Sequence, residues 1–319
     1  MAGAVVTIAV VSWNTRELLA RCLGSLAPEA MSGRAEVWVV DNASSDGSAE
    51  LVTQEFSWAR LIASRENLGF GRAINLVAAR ASAPWLATAN ADVALHPGAL
   101  DALLAAGAHD PGAGAIAPRL VLPDGTTQHS AFAFPTVPYT FLHASGAFRV
   151  LRALGDRYAH PGYWDEHRAR RVPWAVAAFL LVRRAAWDEV GGFDERQWMY
   201  AEDLDLGWRL RQAGWATRYE PRAAVDHAFA ASTTQLFGAE LAPHWQRSTY
   251  GFLVRRRGVV RTWAVALLNL VGGVGRWARV VPRSLRDPDR YAELRRAHGR
   301  WVLVHARALR GRSGLDALR

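Results

Sequence analysis

A group of acidic side chains at the start of a predicted helix is the part of this chain best suited to proton-transfer chemistry. Glu202, Asp203 and Asp205 follow an aromatic loop that two glycines interrupt, within the segment Val190–Trp215. Leucines at helical spacing come next, and Gly214 stands where a helix would end. A carboxylate fixed beside a pocket can take a proton from a hydroxyl group and so act as a general base.

The same acids also have a structural interpretation. Acidic residues in the first turn of a helix interact favourably with the helix dipole. Asp205 lies four residues before Arg209, a spacing that favours an ion pair on one helix face, and we interpret it as structural. The catalytic interpretation of Asp203 therefore depends on whether the rest of the chain forms a site.

Size and composition favour a cytoplasmic globular protein. The 319 residues are enough for one large α/β domain with an appendage, or for two domains. The single cysteine, Cys22, excludes an internal disulfide framework and a cysteine-rich zinc site, and it fits a reducing compartment. The first residues lack the basic region of a signal peptide, so we expect them to form a first core strand.

Buried strands and helical patterns alternate along the first hundred residues. Pro97 stands where a further helix is expected to begin. This alternation predicts a doubly wound, mostly parallel sheet. The strands are expected at Val5–Val11, Val37–Val40, Arg60–Ala63 and Trp85–Ala89, and the helices at Thr15–Leu26 and from the Asn67–Gly71 segment to Arg80.

Polar side chains follow the predicted strands at the edge where ligands bind in such sheets. They are Ser12 and Asn14, then Asp41, then Asn67, then Asn90 and Asp92. Helix capping alone does not require acids after the second and fourth strands, so the pattern predicts a ligand site. The turn after the first strand lacks the glycines of a dinucleotide-binding loop, and the chain has no P-loop motif, which disfavours NAD, FAD and P-loop enzymes.

Seven segments, in order across residues 5 to about 233, resemble the inverting nucleotide-sugar glycosyltransferases of family two, in particular the rhamnosyltransferase-like branch. The resemblance implies an α/β GT-A fold, a Rossmann-like and mostly parallel sheet flanked by helices. The segments are VVSWNTRELLARCLGSL, VWVVDNASSDGS, ENLGFGRAIN, ATANADVALHPGAL, FLLVRRAAWDEVGGFDE, MYAEDLDLGWRLRQAGW and AVDHAFAAST.

The resemblance also implies where the nucleotide sugar binds. Asp41 matches the acid that contacts the nucleotide base and ribose, and Ser12 and Asn14 line the same pocket. The segment that flanks the nucleotide and its diphosphate contains Asn67, Arg72 and Asn75. The family's Asp-x-Asp motif is matched by Asn90, Ala91 and Asp92, so the first acid of the motif is replaced by an amide.

A divalent cation, Mg²⁺ or Mn²⁺, is implied by the same resemblance. Asp92 would hold it between the diphosphate oxygens, where a cation acts as a Lewis acid on the leaving group, and His227 would complete the metal and phosphate site. Magnesium commonly uses only one or two protein carboxylates, and a histidine ligand favours manganese. Two further departures are Ala177 and Ala230, each of which stands where the family pattern has glycine.

Asp203 matches the base that deprotonates the acceptor hydroxyl, with Glu202 beside it, and Trp198 is the best candidate for a platform that binds the acceptor. Attack opposite to the leaving diphosphate inverts the anomeric centre. The resemblance thus implies a metal-dependent transfer of a sugar, such as rhamnose from a dTDP donor, to a glycan or lipid-linked acceptor in cell-surface polysaccharide synthesis. Three alternatives remain: a UDP- or GDP-sugar donor, a sugar-phosphate nucleotidyltransferase, and a non-catalytic module that binds nucleotide sugars.

The C-terminal residues form a basic tail. From His244 to Arg319 there are 17 arginines against four acidic residues, a net charge of +13, whereas the whole chain carries +9 and the remainder is therefore mildly acidic at −4. All 38 basic residues are arginines, which indicates a compositional bias. The number of arginines is therefore poor evidence for nucleic-acid binding, and we expect no nucleic-acid partner.

We expect a catalytic domain over residues 1–238, with a nucleotide-sugar half at 1–119 and an acceptor half at 120–238. A basic amphipathic helical tail is expected at 239–319.

The tail contains an uncharged run of 14 residues, Thr262–Gly275, which is shorter than the ~20 residues that span a bilayer. An apolar stripe with tryptophans and arginine borders predicts a helix that lies in the interface of an anionic membrane. The alternative is that the stripe packs on the catalytic domain or on a second subunit in a homodimer. The first interpretation places the protein in the cytoplasm, peripherally on the inner face of the plasma membrane. The stripe comprises Trp263, Leu267, Leu270, Val274, Trp277 and Val281.

Overall fold

The computed structural model describes residues 3–228 and 241–310, and these form two compact units. The first unit extends to Phe132 and resumes at Trp164, and the second comprises Ala133–Tyr163 and the residues from 241 onward. The domain boundary expected between residues 238 and 239 lies outside the described residues, as does Ala230.

The first unit is built on a nine-stranded sheet. Its order is β3-β2-β1-β4-β10-β6-β11-β5, with β8 paired to β11, and β7 pairs separately with β9. The strands are β1 (Val6–Ser12), β2 (Ala35–Asp41), β3 (Arg60–Ala63), β4 (Trp85–Asn90), β5 (Val93–Leu95), β6 (Ala113–Val121), β7 (Ala131–Phe132), β8 (Arg170–Val172), β9 (Trp174–Ala175), β10 (Phe179–Arg183) and β11 (Ala216–His227).

Helices cover both faces of this sheet. Alternate residues of β1 enter opposite layers of the core: Val6, Ile8 and Val10 pack in one layer and Ala9 packs in the other. A parallel strand buried on both faces must be apolar throughout, as this one is. The helices of the first unit are α1 (Arg16–Met31), α2 (Ser48–Glu55), α3 (Phe70–Ala78), α4 (Ala99–His109), α7 (Arg184–Val190) and α8 (Glu202–Gln212).

The predicted fold class is confirmed, because β3, β2, β1 and β4 are parallel neighbours and helices flank them. Three strands run in the opposite direction. β10 lies between β4 and β6 and is antiparallel to both, and β5 and β8 are each antiparallel to β11. The prediction that Pro97 begins a helix was wrong by two residues, since α4 begins at Ala99 and Gly98, with φ of 78°, occupies the N-cap position. A left-handed N-cap favours glycine, so Pro97 belongs to the preceding turn.

The second unit is helical. The 28 residues of α10 pack against α5 and α11, and glycines allow the close approach: a Cβ at Gly272 would lie 2.9 Å from the Cβ of Ala144. Tyr250 and His305 form a buried hydrogen bond of 2.6 Å that joins α9 to α11. The helices are α5 (Val137–Ser145), α6 (Arg152–Arg157), α9 (Leu241–Arg257), α10 (Val259–Arg286) and α11 (Pro288–Ala308), with a short 3₁₀ turn at Ala147–Arg149.

Candidate active site

The polar ends of the parallel strands lie at one edge of the sheet, as the sequence predicts. Ser12 at the end of β1 is directly opposite Asp41 at the end of β2, and Val11 is opposite Asn90 at the end of β4. Asp41 is in turn opposite Ala63 of β3. Because these strands are parallel, their last residues form a continuous polar border.

Asp41 presents one carboxylate oxygen that no other described group satisfies. The side chain is 3% exposed, and Oδ2 accepts a hydrogen bond of 3.0 Å from the N–H of Ser44. The other oxygen, Oδ1, is buried without a hydrogen-bond partner among the described residues. A buried oxygen left in this state carries a desolvation cost, which a ligand N–H or O–H at this position would offset.

Ser12 and Asn14 join the loops that follow β1 and β2. Ser12 is fully buried and its hydroxyl lies 3.1 Å from that of Thr15. Asn14 has a φ of 50°; its N–H donates to the Ser44 hydroxyl at 2.9 Å, and its Oδ1 accepts from the N–H of Ser45 at 2.8 Å. These contacts fix the loop beside Asp41, and direct contact of either side chain with a nucleotide stays a prediction.

Asn67, Arg72 and Asn75 do not share one environment. Asn67 closes its own turn, with Oδ1 accepting from the N–H of Gly69 at 2.9 Å, whereas Arg72 is half-exposed and lies 3.5 Å from Glu66. The amide of Asn75 binds both backbone groups of Phe193, at 3.0 Å each. Asn75 therefore holds the loop after α7 in place, and its contact with a diphosphate stays a prediction.

The loop after α7 lies directly on the segment that contains Asn67. Trp198 is 40% exposed, and its Nε1 donates to the carbonyl of Asn67 at 3.3 Å. A Cβ on Gly69 would lie 2.2 Å from the Trp198 carbonyl oxygen, so no larger residue fits there without moving the loop. Gly69 is thus a point of close approach between two loops, where only glycine fits.

Asp92 and His227 lie together, as the sequence predicts. Asp92 follows β4 and precedes β5, while His227 ends β11 and pairs with Val93. The Oδ1 of Asp92 lies 3.3 Å from His227 Nε2, and both side chains are more than nine-tenths buried. Asn90 Nδ2 is 3.5 Å from the same nitrogen. Ala91, between Asn90 and Asp92, is buried, and its N–H donates to the carbonyl of Val11.

Gln128 orients His227 and was missed by the sequence analysis. Its Oε1 lies 2.6 Å from His227 Nδ1, which as the protonated nitrogen donates to this acceptor. With Nδ1 protonated, a neutral His227 ring has Nε2, the nitrogen that faces Asp92, as its acceptor nitrogen. The only sequence signal was a polar residue in the turn-rich stretch after β6, which did not indicate its partner.

The Asp92–His227 pair fits a divalent cation that takes its remaining ligands from elsewhere. One carboxylate oxygen and one imidazole nitrogen that faces it can form part of the ligand set of Mg²⁺ or Mn²⁺, whose other positions can be filled by diphosphate oxygens and water. Within the described ranges no group of three or more His, Cys, Asp or Glu side chains converges. A cation held by Asp92 and His227 would therefore depend on further ligands such as diphosphate oxygens. The two residues also line an open cavity of about 330 Å³, whose wall includes Arg21.

Glu202 and Asp203 are the first two residues of α8, where the sequence places them. Glu202 is 7% exposed and its Oε2 is buried without a partner among the described residues, whereas Asp203 is half-buried. Burial raises the pKa of Glu202, and the adjacent charge of Asp203 raises it further. Burial also raises the pKa of Asp203, whereas the hydrogen bond from the Leu204 N–H and the interaction with the Ala177 backbone lower it. A carboxylate with a raised pKa is a stronger base than an exposed one.

The residues just before this pair adopt an unfavourable backbone conformation. Tyr200 and Ala201 have φ values of 66° and 63°, in the left-handed region that residues with a Cβ seldom occupy. Consecutive residues of this kind persist only where surrounding contacts hold them, and they concentrate at functional sites. The strained turn fixes the direction from which the loop enters α8 and thus places Asp203.

Asp205 is structural, as predicted. It is completely buried, and its Oδ2 accepts from Arg209 Nε at 2.6 Å in an i,i+4 ion pair. The guanidinium also donates to the carbonyl of Val190 at 2.6 Å, which ties α8 to the end of α7.

Two protein families and several known proteins are similar to this chain. Residues 7–159 match the family model for glycosyl transferase family 2, and residues 128–288 match that for glycosyl transferase family group 2. An N-acetylglucosaminyl-diphospho-decaprenol L-rhamnosyltransferase of Mycobacterium tuberculosis is 36% identical over 312 residues, which cover 93% of this chain and 99% of that protein. The chain belongs to glycosyltransferase family 2. It is a glycosyltransferase, and it is similar to members of the rhamnosyltransferase type.

A second sequence relative and a solved structure are also similar to this chain. A pre-mycofactocin glycosyltransferase of Mycobacterium tuberculosis is 31% identical over 257 residues, which cover 76% of this chain and 49% of that protein. The mannosyltransferase PcManGT from Pyrobaculum calidifontis, solved with GDP-Man and Mn²⁺, has a TM-score of 0.58 at 16% identity and covers 98% of this chain and 89% of its own. This family 2 enzyme therefore has the GT-A fold that the sequence predicts.

Proposed function

We propose that this glycosyltransferase moves rhamnose, with inversion, from a nucleoside-diphosphate donor to a hydroxyl of a lipid-linked diphosphate glycan in cell-surface polysaccharide synthesis. The observation that carries the proposal is the similarity to the decaprenol-linked rhamnosyltransferase, which extends over 99% of that protein's length. A relationship over whole chains includes the acceptor regions as well as the donor site. The retained Asp92, Asp203 and His227 support a catalytic protein over a non-catalytic module.

The free oxygen of Asp41 supports a pyrimidine donor such as a dTDP-sugar. Thymine and uracil each offer one imide N–H on the pairing edge, which one carboxylate oxygen can accept. Guanine offers two adjacent N–H donors on that edge and favours a carboxylate with both oxygens available. In this protein Oδ2 of Asp41 already accepts from the Ser44 N–H, and only Oδ1 remains.

The chemical step needs a base and stabilisation of the leaving group. Asp203 takes the proton of the acceptor hydroxyl as its oxygen attacks the anomeric carbon, and the bond to the nucleoside diphosphate breaks on the opposite side. Held by Asp92 and His227, a cation would supply Lewis-acid neutralisation of the leaving diphosphate. Asn90 and Gln128 keep His227 oriented toward Asp92, and Trp198 offers an exposed aromatic face for the acceptor.

A lipid-linked acceptor implies that the enzyme works at a membrane surface. We place it in the cytoplasm, peripherally on the inner face of the plasma membrane, where nucleotide sugars are present. The net charge of +12 over residues 241–310, from 15 arginines and three acids, supports attraction to the anionic lipids of that face.

The test is a transfer assay with purified enzyme, a GlcNAc-diphosphate-polyprenol acceptor and Mg²⁺ or Mn²⁺. Donors would be dTDP-rhamnose, UDP-GlcNAc, UDP-galactose and GDP-mannose, with product stereochemistry read by NMR. We expect turnover with dTDP-rhamnose and an inverted anomeric centre. Turnover with another donor only would overturn the rhamnose assignment, and a retained configuration would overturn the role of Asp203. Formation of a nucleotide sugar from sugar phosphate and nucleoside triphosphate would favour the nucleotidyltransferase alternative.

A further inference from the structure

One face of α10 is both apolar and exposed. Seven large side chains on this helix are 39–77% exposed, although the helix packs against α5, α9 and α11 in the second unit. At about 100° per residue they fall within an arc of about 120°. They are Val260, Trp263, Leu267, Val271, Val274, Trp277 and Leu285. We call them the α10 apolar face.

The opposite side of the same helix already supplies its packing. Thr262, Val265, Ala266 and Gly273 are buried, and a Cβ on Gly273 would contact Val302 of α11. Folding of this unit therefore does not require the α10 apolar face. Single apolar residues are common on protein surfaces, but a continuous row along a helix marks a binding surface.

The positive charge around this face favours an anionic partner. Residues 241–286 contain nine arginines and no acidic residue, and arginines flank the uncharged part of α10 at both ends. A second copy of the chain would bring an equal positive charge against the first, which opposes association through this face. An anionic lipid surface offers the opposite charge together with an apolar interior, and tryptophans such as Trp263 and Trp277 favour that boundary.

We infer that the α10 apolar face inserts into the interface of a bilayer containing anionic phospholipids, with the helix axis parallel to the membrane. By length and composition alone α10 could cross a membrane, because its 28 residues exceed the ~20 that span a bilayer, although its uncharged run is shorter. Its other side argues against crossing: Arg276 and Arg279 interrupt the C-terminal half, and Thr262 and Gly273 are packed against protein. The inference specifies how the proposed lipid-linked acceptor is approached, and it rests on the proposed function only in that respect.

Insertion can be measured with one fluorophore. Cys22 is completely buried, and burial raises its thiol pKa to about 12, so it stays unreactive toward thiol labels at neutral pH. Leu267→Cys, at 52% exposure, provides a specific attachment site for an environment-sensitive dye, and Met31→Cys, at 74% exposure on α1, provides the control. With acceptor-free vesicles of phosphatidylglycerol and phosphatidylcholine, we expect a blue shift at position 267 and none at position 31.

A double variant, Leu267→Glu with Val271→Glu, places two charges on the α10 apolar face. The control variant is Met31→Glu, which places a charge on α1. We expect the first variant to reduce the vesicle-bound fraction about tenfold and to keep activity on a water-soluble acceptor analogue, and the control to change neither. Binding should also fall when phosphatidylglycerol is omitted or when salt is raised to 0.5 M. Sedimentation equilibrium and circular dichroism on each variant report association and folding.

Three outcomes would overturn the inference. One is unchanged vesicle binding by the double variant. Another is a lipid-free dimer that this variant dissociates, which would make the face a subunit interface. The third is resistance of the bound protein to alkaline carbonate extraction, the behaviour of a spanning helix. Because the vesicles contain no acceptor, failure of the rhamnosyl assay would leave the binding result intact, and the reverse also holds.

Discussion

The backbone N–H of Ala177 interacts with the carboxylate of Asp203 and lowers the pKa of that group. The next residue, Ala178, accepts from the N–H of Asn90 at 2.8 Å, and the hydroxyl of Thr88 donates to the carbonyl of Ala177 at 2.8 Å. The two residues that lead into β10 thus connect the proposed base to the segment that precedes Asp92. Backbone contacts rather than long side chains set this connection, which favours the fixed geometry that catalysis needs.

Gln128 is expected to control cation affinity through His227. Replacing it with leucine removes the acceptor for Nδ1, so the ring loses its fixed tautomer and orientation. We expect roughly 10–100-fold weaker Mn²⁺ binding in the presence of dTDP, measured by electron paramagnetic resonance or calorimetry. Thr127→Ala, one residue away, is the control. Equal Mn²⁺ affinity of Gln128→Leu and wild type would show that this contact has no positioning role.

Gly69→Ala is expected to displace the loop that contains Trp198. The new methyl group would clash with the Trp198 carbonyl, and we expect kcat to fall about tenfold or more because the loop leads into α8. Gly98→Ala is the matched control, because Gly98 has a similar φ of 78° but open space around its Cβ position. It should cost stability without slowing transfer. Similar transfer rates in the two variants would mean that the close approach at Gly69 is unimportant.

Glu202 and Asp203 are expected to destabilise the fold at neutral pH. Their folded-state pKa values are raised, so the contribution of each carboxyl to stability is fully present below its unfolded pKa and lost as the pH rises through its folded pKa. Glu202→Gln and Asp203→Asn should therefore raise the melting temperature by roughly 2–6 °C at pH 8 and change it little near pH 4. Calorimetry across this range checks the sign, and a melting temperature lowered at pH 8 would contradict it.

The parallel part of the fold could be predicted because its signals are local. Apolar runs of strand length, each followed by a polar residue, predicted β1, β2, β3 and β4 and the ligand edge that they share. The Asp205–Arg209 ion pair followed from helical spacing alone.

What the sequence did not reveal depends on contacts between distant residues. The five residues of β10 have the pattern of any buried strand, and their antiparallel insertion between β4 and β6 is decided by pairing across the sheet. Gln128 meets His227 across 99 positions, and Asn75 meets Phe193 across 118. No periodicity within one segment reports such pairs, so the residues that orient the site are harder to predict than those that carry its charge.

The role of Asp203 as the base is the central claim, and single-turnover transfer by Asp203→Asn tests it most directly. Glu50→Gln, which neutralises an exposed acid in the first turn of α2, is the matched control. With dTDP-rhamnose and acceptor bound at saturation, we expect Asp203→Asn to slow transfer roughly 10²–10⁴-fold while dTDP affinity stays unchanged and the control keeps its rate. Transfer at the wild-type rate by Asp203→Asn would contradict the account.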